Sequence, residues 1–309
     1  MSILFNHVIL VNPSMIILLT IFQYLIQAVV DLMDKFLITA RRLEPVKYTF
    51  YTVVTGALLL VLWPWNFFVL PARFVYLDLF SGAFFVLAMY VFFKALAQGE
   101  VSRVVPFVFG LVPVFDILIS LATGRNALRI NEVAAICLLV PGALLVSHQK
   151  GDFWLKHVGL KTLSAFLFSA YYALWQYGAQ KGSVLNNLMW NRLGAALVLL
   201  ALLVFSGFRK KVFAVDEVKN KAGTSVLFLF KQVLGGANFV FLSFLYVLGK
   251  ISVINSLQGF RYVFLLFFSM ALTHKRGHII KEETGFHIFT QKVFGIALIF
   301  LGTIFLFVT

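Results

Sequence analysis

Gly99-Glu100-Val101-Ser102-Arg103-Val104 and Gly249-Lys250-Ile251-Ser252-Val253-Ile254 are one short phrase written twice, about 150 residues apart. Each closes a long apolar run and opens another. A membrane bundle built by duplication leaves this mark. When each copy holds an odd number of spans, the second inserts upside down, and such folds place their binding site where the halves meet. Other matches follow in the same order. Gly56-Ala57-Leu58 pairs with Gly194-Ala195-Ala196, Asn131-Glu132-Val133-Ala134-Ala135 with Gln291-Lys292-Val293-Phe294-Gly295, and Gly142 with Gly302. The chain thus divides into residues 1–150, a first five-helix repeat, and 151–309, a second and inverted one.

Composition leads to the bilayer independently. The 309 residues are 61% hydrophobic and 12% charged, with a mean hydropathy of +0.95. Soluble domains carry about 25% charged residues, and no soluble core has room for this much apolar surface. Ten apolar runs are legible, at 14–38, 47–68, 74–97, 102–121, 130–149, 157–180, 186–206, 224–248, 252–272 and 289–308. Most are near the roughly 20 residues a spanning helix needs. Only helices or closed barrels satisfy their backbone in hydrocarbon, and these runs lack the alternation of barrel strands. The expected fold class is an all-α integral membrane protein with ten transmembrane helices as two inverted five-helix repeats. The single Cys137 leaves no internal disulfide and no cysteine metal site. The first residues lack the basic region of a cleaved secretory signal.

The net charge of +14 reads as topology rather than nucleic-acid binding, because the basic residues collect between spans. One side of the membrane receives Arg41, Arg42, Lys47, Arg103, Lys150, Lys156, Lys161, the stretch from Arg209 to Lys221, Lys275, Arg276, Lys281 and Lys292. The other receives Arg73, Arg125, Arg129, Lys181 and Lys250. The positive-inside rule makes the first side cytoplasmic. A multi-pass protein of the cell membrane with both termini outside is expected.

Ionisable groups at membrane depth cost roughly 2.5–3.5 kcal/mol each on insertion scales, so they default to functional candidates. Gln23, Gln27, Asp31 and Asp34 fall at i, i+4, i+8 and i+11, on one face of span one. Asp34 and the adjacent Lys35 lie near the span's end, where snorkelling is the bland reading. Tyr90 and Lys94 share a face of span three, with Lys94 in reach of Asp31 or a solute carboxylate. Asp116 follows Pro113 by three residues in span four. Arg261, roughly nine residues into span nine, requires a carboxylate, carbonyls or a bound anion, with Asp116 or Asp31 as ion-pair partners. Asn255, Gln258 and Tyr262 lie beside it at i, i+3 and i+7. Tyr171, Tyr172, Trp175, Gln176 and Gln180 form an aromatic and amide wall on span six, suited to an organic solute or to helix packing. Span eight adds Lys231, Gln232 and Asn238. Pro106 and Pro113 free backbone carbonyls and mark a hinge. Gly235-Gly236-Ala237 and Gly178-x-x-x-Gly182 read as close-packing motifs.

The segment Phe92-Phe93-Lys94-Ala95-Leu96-Ala97-Gln98-Gly99-Glu100-Val101-Ser102-Arg103-Val104-Val105-Pro106, with Pro113-Val114-Phe115, resembles the third-to-fourth-span signature of EamA-type proteins in the drug/metabolite transporter superfamily. Asn131-Glu132 leading to Gly142 resembles the family's fifth span, and residues 26–35 its first. The second half is similar more loosely, with Ile251-Ser252 but no proline matching Pro113. The resemblance implies a carrier of two inverted five-helix bundles that moves amino acids, other metabolites or drugs, often outward. It also implies cytoplasmic termini, against the charge bias.

The expected function is a secondary active transporter. It would export a small organic metabolite, such as an amino acid or amine, by proton-coupled alternating access. The candidate substrate-binding residues are Gln27, Asp31, Tyr90, Lys94, Asp116, Tyr172, Trp175, Gln176, Asn238, Asn255, Gln258, Arg261 and Tyr262. Asp31 and Asp116 are the coupling carboxylates, and Pro106 and Pro113 the hinge. No metal, cofactor, nucleic acid or catalytic residue is expected, and the chain acts as a monomer or homodimer in the bilayer. No P-loop supplies ATP drive. The alternatives are a flippase for lipid-linked sugar or lipid within the same superfamily, or a membrane-embedded lipid-modifying enzyme. Asp31-x-x-Asp34 is the only paired-carboxylate motif available to such an enzyme.

Overall fold

Apolar runs with few polar interruptions have one way to satisfy their backbone, and the computed structural model is helical accordingly. It describes residues 12–62, 64, 71–124, 129–148, 154–179, 184–214, 220–276, 282–283 and 285–308. Arg125, Lys150, Gln180, Lys181, Gly182, Lys219 and Lys281, which entered the expectations above, lie outside the described residues. The helices of the first half are α1 (Pro13–Thr39), α2 (Pro45–Ala57), α3 (Ala72–Gln98), α4 (Val101–Ala122) and α5 (Ile130–Ser147). Those of the second are α6 (Trp154–Ala179), α7 (Val184–Val204), α8 (Ser206–Phe213), α9 (Lys221–Leu248), α10 (Ile251–Ser256), α11 (Gly259–Arg276) and α12 (Phe286–Val308). Among the described residues, eight helices are long and apolar enough to cross a membrane. The protein is an all-α membrane protein.

Three expectations about the elements change. The run 47–68 is helical over Pro45–Ala57 and then tightens into a 3-10 segment, Leu58–Leu62. The connection after span seven contains a short helix, α8, whose exposed Arg209, Lys210 and Lys211 ride above the buried Val212. The run 252–272 is two helices, α10 and α11, separated by a turn at Leu257 and Gln258.

Side-chain contacts give the directions of the helices. Lys35, near the end of α1, donates to the Leu96 and Gly99 carbonyls at the end of α3 (2.7 and 2.8 Å), so α1 and α3 run the same way. Lys161, early in α6, donates to Ser147 at the end of α5 (2.7 Å). Lys47, at the start of α2, reaches the Ala214 carbonyl just past α8 (2.5 Å). These contacts gather at one end of the bundle, which also holds Arg103, Arg209–Lys211 and Lys292 and is called the basic end. At the other end Gly249 rests on Ile16, with a Cβ on the glycine 2.9 Å from that side chain.

Close approach is concentrated at a few glycines. On α5 and α12, Gly142 faces Gly295 while Leu139 faces Gly302, so these helices are antiparallel. A Cβ on Gly142 or Gly295 would lie 3.0 Å from the other's carbonyl oxygen. Gly235 and Gly236, expected to admit a neighbouring helix, do not: the first meets only Val30 at 3.7 Å, and the second has nothing within 4 Å. They sit on the thinly covered face of α9, where Val233, Phe239 and Val240 are exposed.

Candidate functional site

The break between α10 and α11 positions the principal polar centre. Across the break the backbone N–H groups of Leu257, Gln258, Phe260 and Arg261 bond three residues back, a tight turn rather than an α-helix. Gly259 is required there, because a Cβ would come within 2.2 Å of the Phe300 ring on α12. No proline is involved. Pro106 and Pro113, expected to be the hinge, lie within one unbroken helix, α4. Both are buried, and the helix runs on through them despite the backbone donor each lacks.

Two residues after Gly259, Arg261 reaches Asp31 on α1. Nε donates to Oδ2 at 2.7 Å and Nη2 to Oδ1 at 2.9 Å, a bidentate fork. Asp31 is 2% exposed and Arg261 7%. The guanidinium carbon lies 4.3 Å from the centroid of Phe109 on α4, a cation–π contact. Gln27 donates to Asp31 Oδ1 (3.3 Å) and accepts from Asn238 on α9 (2.8 Å). One polar chain therefore runs Asn238–Gln27–Asp31–Arg261 and ties α9, α1 and α11 together, with α4 alongside.

Aromatic residues surround this chain. Tyr24, Tyr172, Tyr246 and Tyr262 share an electrostatic environment with Arg261. Tyr24 donates to the Ile254 carbonyl (3.1 Å) and Tyr246 to Asn255 Oδ1 (2.8 Å), so both hydroxyls brace α10 just before the break. Gln23 Oε1, Asn238 Oδ1, Trp175 Nε1 and the Tyr262 hydroxyl are buried without a hydrogen-bond partner. Buried polar atoms nearly always find partners, so these four are open to a further hydrogen bond.

The sequence candidates divide. Gln27, Asp31, Asn238, Asn255, Arg261 and Tyr262 are brought together, with Tyr172 and Trp175 on the α6 side. Asp116 is not the partner of Arg261; it accepts from Ser169 on α6 and is exposed. Tyr172, one turn past Ser169, lies within the fields of both Arg261 and Asp116. Lys94 is exposed on α3 and does not meet Asp31, whose oxygens are taken by Arg261 and Gln27. Tyr90, Gln176 and Gln258 make no side-chain hydrogen bond among the described residues; Tyr90 and Gln258 are half-buried and Gln176 is exposed. Asp34 and Lys35 do not snorkel. Asp34 pairs with Lys231 (2.6 Å) and accepts from Tyr48, while Lys35 serves the end of α3. Sequence reading missed Tyr24, Phe109 and Tyr246. Tyr24 was findable, because Tyr24, Gln27 and Asp31 are spaced i, i+3 and i+7.

A second charged centre closes the basic end. Glu100, which caps α4, accepts from Arg103 Nε (2.7 Å) and pairs with Lys292 of α12 (2.6 Å). Lys292 also binds Glu282 (2.8 Å), which accepts from the Ser102 hydroxyl and backbone N–H. Arg103 Nη2 reaches Glu283 (2.8 Å), and its Nη1 donates to the Val146 carbonyl in the last turn of α5 and to the His148 carbonyl just past it. The α3–α4 corner, the end of α5 and the α11–α12 connection are thus clasped together. Burial and the neighbouring Glu100 push the Glu282 carboxyl above its ordinary 4.5, against the pull of Lys292. Burial opposes ionisation of Glu100 too, but Lys292 and Arg103 prevail and hold its carboxyl below 4.5.

No family model and no curated protein matches the chain. One solved structure, described only as a crystal structure of a protein, is similar over 96% of this chain and 96% of its own, with a TM-score of 0.55 at 16% identity. At that identity the likeness speaks for the fold alone.

Proposed function

We propose that the protein is a secondary carrier of ten spans, arranged as two inverted five-helix repeats, which moves a small organic solute by alternating access. The observation that carries this reading is the buried Asp31–Arg261 pair, set beside a helix break and ringed by tyrosines and unpartnered polar atoms. Such a pair holds its charges only while they face each other. An amine competes for Asp31 and a carboxylate for Arg261, which suits an amino acid or amine as solute. A proton on Asp31 would release Arg261 to an anionic group, and Asp116, beside Tyr172, is the second candidate for coupling.

The repeat is supported by contacts that exchange under the sequence offset. Shifting by 160 residues carries Leu139 onto Ile299 and Gly142 onto Gly302. The approach of Leu139 to Gly302 (2.8 Å from a Cβ placed there) then becomes that of Ile299 to Gly142 (3.0 Å from a Cβ placed there), and both occur. The two duplicated corners behave alike. Gly99 and Gly249 each cap a helix in extended conformation and donate back to Ala95 and Leu245, respectively. The first corner meets Lys161 of α6 and the second Ile16 of α1, so each half's corner rests on the other half's first helix. The basic end is assigned to the cytoplasm. There the Glu100–Arg103–Glu282–Lys292 clasp acts as the closed gate.

The test is solute flux into proteoliposomes across an imposed pH gradient, preceded by a thermal-shift screen against amines and amino acids. A stabilising solute whose flux disappears in Arg261→Ala and Asp31→Asn, with both variants still folded, is the expected result. Flux unchanged by either substitution would remove the proposed site.

A further inference from the structure

We propose that Asp78 on α3, with Asn187 and Asn191 on α7, forms a binding site for a sodium ion. The site lies apart from Arg261; the cation site stands on its own geometry, and the choice of sodium rests on the carrier reading.

Glycine brings the two helices into backbone contact. A Cβ on Gly82 would fall 2.2 Å from the Asn191 carbonyl oxygen, and one on Gly194 2.3 Å from that of Leu79. Both helices run toward the basic end, so their residues keep level as the numbers rise. Asn191 Nδ2 donates to Ser81 Oγ (2.7 Å), and Ser81 donates to the Asp78 carbonyl (2.7 Å). Asp78 stands one turn before Gly82 on the contact face of α3. Asn187 stands one turn before Asn191 on that of α7. The i, i+4 spacing on parallel helices sets Asp78 and Asn187 opposite each other.

All three side chains are wholly buried. Both Asp78 carboxylate oxygens, both amide atoms of Asn187 and Asn191 Oδ1 have no hydrogen-bond partner. The Asn191 amide is oriented by Ser81, which spends its proton on the Asp78 carbonyl and so accepts from nitrogen. Asn191 Oδ1 is therefore a free acceptor. Two other groups border the cluster. Arg192 on α7 lies over the Phe85 ring (4.6 Å) with Nη1 toward Gly56 of α2, and forms no ion pair with Asp78. Tyr171 on α6 lies within the fields of both.

The free acceptors are both Asp78 oxygens, Asn187 Oδ1 and Asn191 Oδ1, against the Asn187 amide nitrogen and the unpartnered Arg192 Nε as donors, and a buried carboxylate that neither donor reaches is costly. Carboxylate and amide oxygens are hard ligands that favour hard cations. One carboxylate among neutral oxygens matches a single positive charge, whereas calcium sites draw on several carboxylates. Sodium is the hard monovalent cation that membrane carriers coordinate with such oxygens.

The experiment titrates the purified full-length protein with sodium chloride against choline chloride at constant ionic strength and reads the melting temperature. A saturable, sodium-specific rise is expected. Asp78→Asn should abolish it, and Asn187→Ala should weaken apparent affinity by at least about tenfold. Arg261→Ala should keep it. If Asp78→Asn does not fold, Asn187→Ala and Asn191→Ala carry the test. Equal melting in sodium and choline, or a sodium response untouched by these substitutions, would overturn the site. So would stabilisation by acid in sodium-free buffer that depends on Asp78, since the ligand would then be a proton.

Discussion

Arg261 concentrates the chemistry of the molecule in one side chain. Replacing it with alanine strands Asp31, a wholly buried carboxylate, with Gln27 as its remaining partner. Breaking a buried pair from one side costs about 3–5 kcal/mol, so Arg261→Ala should lower the unfolding midpoint in mild detergent by a corresponding amount. Arg261→Met combined with Asp31→Leu should recover most of that loss, because two well-packed apolar groups replace the pair without stranding a charge. The double variant should still bind no solute, which separates the pair's structural role from its functional one. Glu282 makes a different residue-scale prediction. Its carboxyl sits above 4.5, so the folded state holds its proton more tightly than the unfolded chain. As pH falls through that raised value, Glu282 neutralises and the Glu282–Lys292 bond weakens, while linkage at this group favours the folded state. Glu100 has the opposite sign. Its stabilisation is present above 4.5 and is lost as pH falls through its lowered value. Thermal melts should therefore lose the Glu100 contribution only below 4.5, and Glu100→Gln should flatten that acid limb.

Among the elements, the broken α10–α11 pair and the intact α4 make an instructive contrast. Proline is the familiar interrupter of helices, yet α4 runs through two prolines and the break falls where there is none. The physical reason is packing. Pro106 and Pro113 are buried in a helix that runs on through them, whereas Gly259 lets Phe300 press against the backbone at the turn. Gly259→Ala should thus be severe, because its Cβ would meet the Phe300 ring at 2.2 Å. Pro113→Ala should be mild. Comparing their melting temperatures and solute affinities decides whether the break or the proline positions Arg261. A larger effect from Pro113→Ala would restore the proline hinge.

For the whole molecule, the clasp at the basic end is the feature that the proposed alternating access would have to undo. It joins α4, the end of α5 and the α11–α12 connection through Arg103 and Lys292, so opening this end means parting those charges. Lys292→Met should loosen it. In a Cys137→Ser background, Ala97→Cys beside the clasp should react faster with a membrane-impermeant maleimide from the basic side once Lys292→Met is added. Unchanged labelling would show that the clasp is not the barrier.

Composition and run length were enough for the bilayer, the helices and the stripe of Gln27 and Asp31, because periodicity and the cost of polar groups in lipid are local properties of a chain. They left Asp31 and Asp116 as rival partners for Arg261. Asp78 drew no reading from the sequence at all. Those choices belong to helix neighbours far apart in sequence: α11 against α1 for Arg261, and α3 against α7 for Asp78. A side chain's partner is set by which faces meet, and that meeting was settled by packing at Gly82, Gly194, Gly259 and Gly142, where a neighbouring helix comes too close for any larger residue.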